Sequence, residues 1–351
     1  MPVIQYKCPN CGGPLTFDAS GQDFGCEFCQ SHFTEAQLKN AFPEKEAEEP
    51  TRPQSEAADA FAEHTSLYSC PSCGAQIMAE DTTAATFCYY CHGPVILSGR
   101  LSGEYRPSKV IPFRHDKEAA LDGFKAWRAK KWFVPGEFKS GSQLEKIAGV
   151  YIPFWLADCR LNAGMHAIGK KIRTWVSGDY QYTETREFDV RRRAFVSFHG
   201  IPADGSSKTD DRLMEAIEPF NYREAKDFTM SYLSGYLAEK YDVQKEAVLP
   251  RIRERSDQAA AGVLRDSISG YSSVVVSSTD ISFADLQWQY VLLPVWLLTY
   301  KHKDKNYFFA MNGQTGKMVG IPPLSIPKML GFAGILMAAV FLFTLLGGLF
   351  L

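Results

Sequence analysis

Eight of the nine cysteines fall in four C-x-x-C pairs, Cys8/Cys11, Cys26/Cys29, Cys70/Cys73 and Cys88/Cys91, and an offset of 62 carries the first two pairs onto the last two. Tyr6, Pro9 and Gly12 recur at the same offset as Tyr68, Pro71 and Gly74, so a whole small module is duplicated. Each module reads C-P-x-C-G and later C-x-x-C, with 14 residues between its second and third cysteines. Two short turns that each present two thiolates can surround one Zn²⁺ tetrahedrally, and a glycine after the second cysteine suits the tightened backbone there. Four sulfurs leave no position for water or substrate. Cys8, Cys11, Cys26 and Cys29, and Cys70, Cys73, Cys88 and Cys91, are therefore expected to hold two structural Zn²⁺ ions, which replace the core that a module of about 30 residues lacks.

Other readings of these thiols fit less well. Disulfides need an oxidising compartment, and a redox C-x-x-C stands alone at a strand-to-helix junction. Cys88-Tyr-Tyr-Cys91-His92 matches the haem-attachment pattern, but Cys70 and Cys73 claim the same pair. With four thiolates per site, neither His32 nor His92 is needed.

A second feature sits at the other end. Met329 to Leu351 are 23 residues without a charge, although the mean hydropathy of the chain is −0.20. As a helix rising 1.5 Å per residue they reach about 34 Å, enough for a hydrocarbon core of about 30 Å. Lys301, Lys303, Lys305, Lys317 and Lys328 precede this span, which by the positive-inside rule keeps the bulk of the chain on the cytoplasmic side. Met1 to Tyr6 lack the apolar run of a signal peptide. Gly331, Gly334, Gly347 and Gly348 form no GxxxG pair for helix association. A single-pass tail anchor in the cytoplasmic (inner) membrane is expected.

The formal net charge of −2 conceals an asymmetry: residues 1–97 carry 4 Lys/Arg and 13 Asp/Glu, the remainder 34 and 27. Between the modules, Phe42 to Thr65 hold seven acids, two bases and three prolines and read as an acidic tether. Phosphate would be repelled by such modules, the more so with the net −2 of each metal–thiolate centre, so they are expected to contact protein. Lys170, Lys171 and Arg173, Arg191 to Arg193 and Lys301 to Lys305 are either a basic surface facing anionic lipid or an acidic partner, or a solvated face.

From Ser98 the chain reads as one α+β domain with antiparallel strands. Asp116 can cap a helix to about Lys131; further helices are expected near Asp210 to Ile217, Met230 to Tyr241 and Pro250 to Ile268, with Pro250 in a first turn. Strands are expected at Val150 to Cys159, at Ile168 to Val176 and Tyr180 to Val190 around a Ser177-Gly178-Asp179 turn, and at Ser273 to Val276, Tyr290 to Tyr300, Tyr307 to Met311 and Lys317 to Gly320. Ile152-Pro-Phe-Trp-Leu156 is echoed by Leu293-Pro-Val-Trp-Leu297 at an offset of 141, which suggests two related β-units around a helical insertion. The proline in each argues for an edge strand or a bulge. Gly164 to Lys171 nearly match a phosphate-binding loop but lack its hydroxyl, and no G-x-S-x-G or H-E-x-x-H occurs, so no enzyme is expected. Cys159, in an apolar strand, reads as a buried small residue.

The double CPxCG modules, together with Gly149-Val-Tyr-Ile-Pro-Phe-Trp155, Arg173-Thr-Trp-Val-Ser-Gly-Asp179, Ile201-Pro-Ala-Asp-Gly-Ser-Ser-Lys208, Ile217-Glu-Pro-Phe220 and Ala310-Met-Asn-Gly-Gln-Thr-Gly-Lys317, resemble a bacterial family of double zinc-ribbon, single-span membrane proteins. The resemblance covers nearly the whole chain and names no catalytic residue. It implies association with SPFH (flotillin-like, virion-core-type) proteins and phage-shock protein A in envelope-stress systems. The modules alone also resemble the zinc segment of the replication-restart helicase PriA, without any helicase motif. The expected organisation is a first zinc ribbon at 1–41, an acidic linker at 42–65, a second ribbon at 66–98, the α+β domain at 99–328 and a transmembrane tail anchor at 329–351. The expected function is a non-enzymatic membrane adaptor that recruits a cytosolic protein partner of the SPFH or phage-shock protein A type. A membrane-bound nucleic-acid-binding regulator is the alternative.

Overall fold

The computed structural model describes residues 4–42, 65–71, 73, 76–88, 93–101, 103–139, 147–302 and 305–348. They form two cysteine modules, a large mixed sheet with helices and a C-terminal apolar helix. In the first module β1 (Leu15–Asp18), β2 (Asp23–Cys26) and β3 (His32–Phe33) make an antiparallel sheet, followed by α1 (Glu35–Ala41). Thr34 and Gln37 cap α1 reciprocally, side chain to backbone. Tyr6, Leu15, Phe17, Phe24 and Leu38 are buried beneath it.

The second module is divided. β4 (Thr65–Ser69) and β5 (Gln76–Glu80) pair with each other, whereas β6 (Thr83–Phe87) and β7 (Pro94–Ile96) belong to the large sheet. The expected acidic tether lies, from residue 43 to 64, outside the described residues.

The body then runs β8 (Lys109–Val110), α2 (Lys117–Ala129), α3 (Gly136–Lys139), β9 (Ala148–Ser177), β10 (Tyr180–Asp204), α4 (Asp211–Ala216), β11 (Lys226–Asp227), β12 (Leu237–Glu239), α5 (Lys245–Asp266), β13 (Ser273–His302), β14 (Lys305–Asn312), β15 (Met318–Gly320) and α6 (Ile326–Gly348). Asp116 caps α2 as expected, accepting from the Ala119 N–H at 2.7 Å. Gly178, at φ +59°, turns β9 into β10. Where short strands are expected, β9, β10 and β13 run for 30, 25 and 30 residues. They share a continuous antiparallel register that spacing along one strand cannot reveal.

The internal echo is a structural duplication. Ile152 pairs with Leu293, and Pro153 with Leu292, across the β9–β13 ladder, so the two units lie side by side in opposite directions. β12 runs parallel to β9 at Val150 and Tyr151, and β8 parallel to β13 at the equivalent Val291 and Leu292. The Trp155 indole donates to the Val243 carbonyl and the Trp296 indole to that of His115, each at 2.9 Å. Gly205 donates to the Pro153 carbonyl and Gly313 to that of Pro294, both at 2.8 Å. Each unit thus lends its short first strand to the other's long strand.

Three expectations need correction. Pro153 and Pro294 lie neither at an edge nor at a bulge. Each stands where its strand's outer neighbour changes, from β12 to β10 and from β8 to β14, so no ladder bond is lost through the missing N–H. Met230 to Tyr241 is a 3₁₀ turn at Met230–Leu233 followed by β12, because these residues pack against the first module and extend the sheet. α5 begins at Lys245, which places Pro250 inside it; the residue four positions earlier, Glu246, whose carbonyl the proline cannot bond, is exposed.

β9, β10 and β13 extend as an arm ending at the Gly178 turn, with α5 covering one face through Ala260 and Leu264, and Ile268 just beyond it. α6 starts at the other end. β15 follows β14 toward His302, and Ser325 N and Lys328 Nζ then bond the Phe133 and Val134 carbonyls at 2.7 and 2.8 Å. Lys170 pairs with Ser273 and Lys301 lies at the far end of the same strand, so about 90 Å of β13 separates them. The expected basic clusters therefore do not form one surface.

Candidate metal centres

In the first module two tight turns present the sulfurs. Gly12 N–H bonds the Cys8 carbonyl at 2.8 Å with Gly12 at φ +75°, and Gln30 N–H bonds the Cys26 carbonyl at 2.8 Å with Gln30 at φ +56°. The first cysteine of each pair is buried and the second exposed. All four sulfurs lie within 4.8 Å of one another, and Cys8–Cys29 and Cys11–Cys26 are each 3.5 Å apart. A tetrahedral ion with metal–sulfur bonds of about 2.3 Å sets sulfurs about 3.8 Å apart, so the four residues fit such an ion.

Electrostatics agree. The Ser31 hydroxyl and backbone N–H beside Cys29 pull its thiol down to about 6. Cys11 receives help from the Gly13 backbone, yet the crowded thiols of Cys29 and Cys26 push it up to about 12. The Cys29 thiolate forms readily and Cys11 beside it resists a second charge, a repulsion that a cation among the sulfurs would relieve.

In the second module Cys70, Cys73 and Cys88 converge, with Cys73–Cys88 at 3.7 Å. The Cys88 N–H bonds the Gly93 carbonyl at 2.9 Å, repeating the Cys26 to Ser31 bond of 3.0 Å in the first module. Cys91 and His92 lie outside the described residues. His32 does not join the sulfurs; it pairs with Asp23 at 3.1 Å, which raises its pKa. Asp18, Asp23 and His32 form a further group within 4.8 Å that the cysteine spacing gave no reason to seek. Cys159 is buried under α5, and burial pushes its thiol up.

The first module is docked on the body. Phe17 N donates to the Ser234 carbonyl at 2.9 Å, and Gln22 Nε2 to that of Phe113 at 2.7 Å. Ser20 Oγ donates to Asp116 and Tyr232 Oη to Glu35, at 2.7 and 2.6 Å. Phe113 stacks on Tyr236 at 4.2 Å beneath this contact. The duplication maps Phe113 and Asp116 onto Tyr241 and Gln244. These border a cavity of about 730 Å³ walled by Trp155, Trp288, Tyr290 and Arg106. Asp158, the one carboxylate among the described lining residues, accepts from the Gly200 N–H at 2.7 Å.

Beyond Lys328 in its first turn, α6 carries no charged residue. Its stretch Ile326–Thr344 has mean hydropathy 2.0 and is 0% buried in the protein, long and apolar enough to cross a membrane.

No family model and no solved structure matches the chain. It is 37% identical over 339 residues to the uncharacterized protein YdjG of Bacillus subtilis (strain 168), an alignment covering 95% of this chain and 94% of that protein. At that identity and coverage, the chain belongs to the family of YdjG.

Proposed function

We propose that the protein is a non-enzymatic adaptor anchored in the cytoplasmic membrane by α6, with its bulk on the cytoplasmic side. Both cysteine modules carry a structural Zn²⁺, the second completed by Cys91, and the body recruits a cytosolic protein partner. By resemblance that partner is of the SPFH or phage-shock protein A type. The observation that supports the reading is an exposed apolar helix over Ile326–Thr344 on a body whose first module brings four cysteine sulfurs together. An exposed helix of this length is stable only in lipid, and a closed centre gives the metal a structural role rather than a reactive one. Lys317 and Lys328 ahead of the span favour the cytoplasmic orientation.

Co-purification from native membranes tests it. The full chain should recover an SPFH or phage-shock protein A type protein, and a chain without residues 1–97 should recover much less. Recovery of neither class sinks the adaptor assignment, and unchanged recovery shows that the modules are not the capture element.

A further inference from the structure

Two edges of the arm are open among the described residues. β13 has no strand on its outer side before Val291, and β10 pairs only with β9. β13 breaks its edge with register shifts at Val276/Ser278 and Phe283/Asp285, a common defence against strand addition. β10 has no such defence: its register is unbroken from Tyr180 to Phe198.

The outward-facing groups follow from alternation. The Lys170 carbonyl and the Ile172 N–H point to the β13 side, bonded by Ser272 at 2.7 and 3.0 Å. Odd residues of β9 therefore bond β10, and through the pair Gly169↔Phe188 the even residues of β10 bond β9. Odd residues from Thr183 to Ser197 aim their N–H and C=O groups outward, the Arg191 carbonyl taking a bond from the Arg192 guanidinium at 3.0 Å. Charge along this edge is sorted about Val190. Glu184, Glu187 and Asp189 precede it, with Arg186 among them, and Arg191, Arg192 and Arg193 follow.

We propose that β10 pairs antiparallel with β10 of a second copy of this chain, about a two-fold axis at Val190. Asp189 then faces the partner's Arg191 and Glu187 faces the partner's Arg193, on residues whose backbones exchange both ladder bonds. Phe195, 91% exposed in one copy, gains cover from the partner's Thr185, and Tyr182 meets the partner's Phe198. Moving the axis by one residue sets Asp189 against the partner's Asp189 or Arg191 against the partner's Arg191, so charge fixes the register. Within one copy, Asp189 pairs with His166 and Arg191, and Glu187 with Lys170 at 2.7 Å; these exposed pairs hold the acids only weakly. The bodies lie at opposite ends of the joined arms, and both α6 helices enter one bilayer when the arms run along its surface.

The test measures the mass of the full chain in detergent micelles by sedimentation or light scattering. The native chain should be a dimer, R191E/R193E should weaken it at least tenfold, and E187R/D189R/R191E/R193E should restore it. An unchanged unfolding midpoint shows that each variant is folded. Copies carrying D189C and R191C should form a disulfide only when co-expressed, which places the contact in the arm rather than in α6. A monomeric native chain, a dimer indifferent to R191E/R193E, or failure of the fourfold reversal to rescue would each overturn the proposal.

Discussion

Tyr232→Phe isolates the contact that docks the first module. Tyr232 is 1% exposed, and its hydroxyl donates to Glu35 Oε2 at 2.6 Å. Removing it leaves Glu35 with Lys39 at 2.8 Å. A hydrogen bond to a charged group contributes about 1.5–3 kcal/mol, and the remaining Lys39 pair puts this one near the lower end, about 1.5 kcal/mol. Amide exchange across Leu15–Cys26 of the full chain should then quicken about tenfold, since about 1.4 kcal/mol is a factor of ten. Burial tends to raise the Glu35 pKa, but Lys39 and Tyr232 together hold it below the ordinary 4.5. A depressed carboxylate stabilises above its unfolded pKa and loses that contribution as pH falls through the folded value. The difference between Y232F and the native chain should be full at pH 7 and shrink below about pH 4 toward the ~0.5–1 kcal/mol of a neutral bond. Unchanged exchange in Y232F, or additive effects of Y232F and Glu35→Gln, would refute the docking argument.

Metal analysis of the purified chain should give about two Zn per chain, and Cys26→Ser or Cys88→Ser about one; a fully folded metal-free preparation would contradict the zinc assignment. A Cβ on Gly313 would lie 2.6 Å from Phe113 and 2.9 Å from Pro294, whereas the nearest atom to one on Gly205 is Tyr241 Cβ at 3.1 Å. Thermal unfolding should therefore show Gly313→Ala costing about 1–3 kcal/mol and Gly205→Ala less, equal costs counting against the packing difference. Burial, with Asp211 adding to it, pushes Asp204 up to about 6, so the folded state holds its proton more tightly and stability should fall as pH rises from about 4 to about 6. Asp204→Asn should remove that slope, on the order of 2–3 kcal/mol; an unaltered pH profile would show that Arg251 already compensates the charge. Removing residues 326–348 should move the protein from the membrane to the soluble fraction, and retention in the membrane would assign the attachment elsewhere.

The cysteine clusters were legible in the sequence, because cysteine spacing and the repeat express a local geometry: two turns of fixed length that bring their thiols together. The capping of α2 by Asp116 and the hydrophobic span of α6 were legible for the same reason, each depending on residues a few positions apart. Even the duplication left its trace in the two Pro-x-Trp strands. Tertiary structure alone decided the rest. The length of β9 and β13 depends on each having the other as a partner along nearly its whole course, and Pro153 and Pro294 are tolerated only because two neighbours change at those positions. Met230 to Tyr241 abandoned a helix for a seat under the first module, since burial of Tyr232, Leu233 and Tyr236 outweighs local propensity. The clustering of Asp18, Asp23 and His32, and the open edge of β10, likewise exist only once distant segments have been brought together.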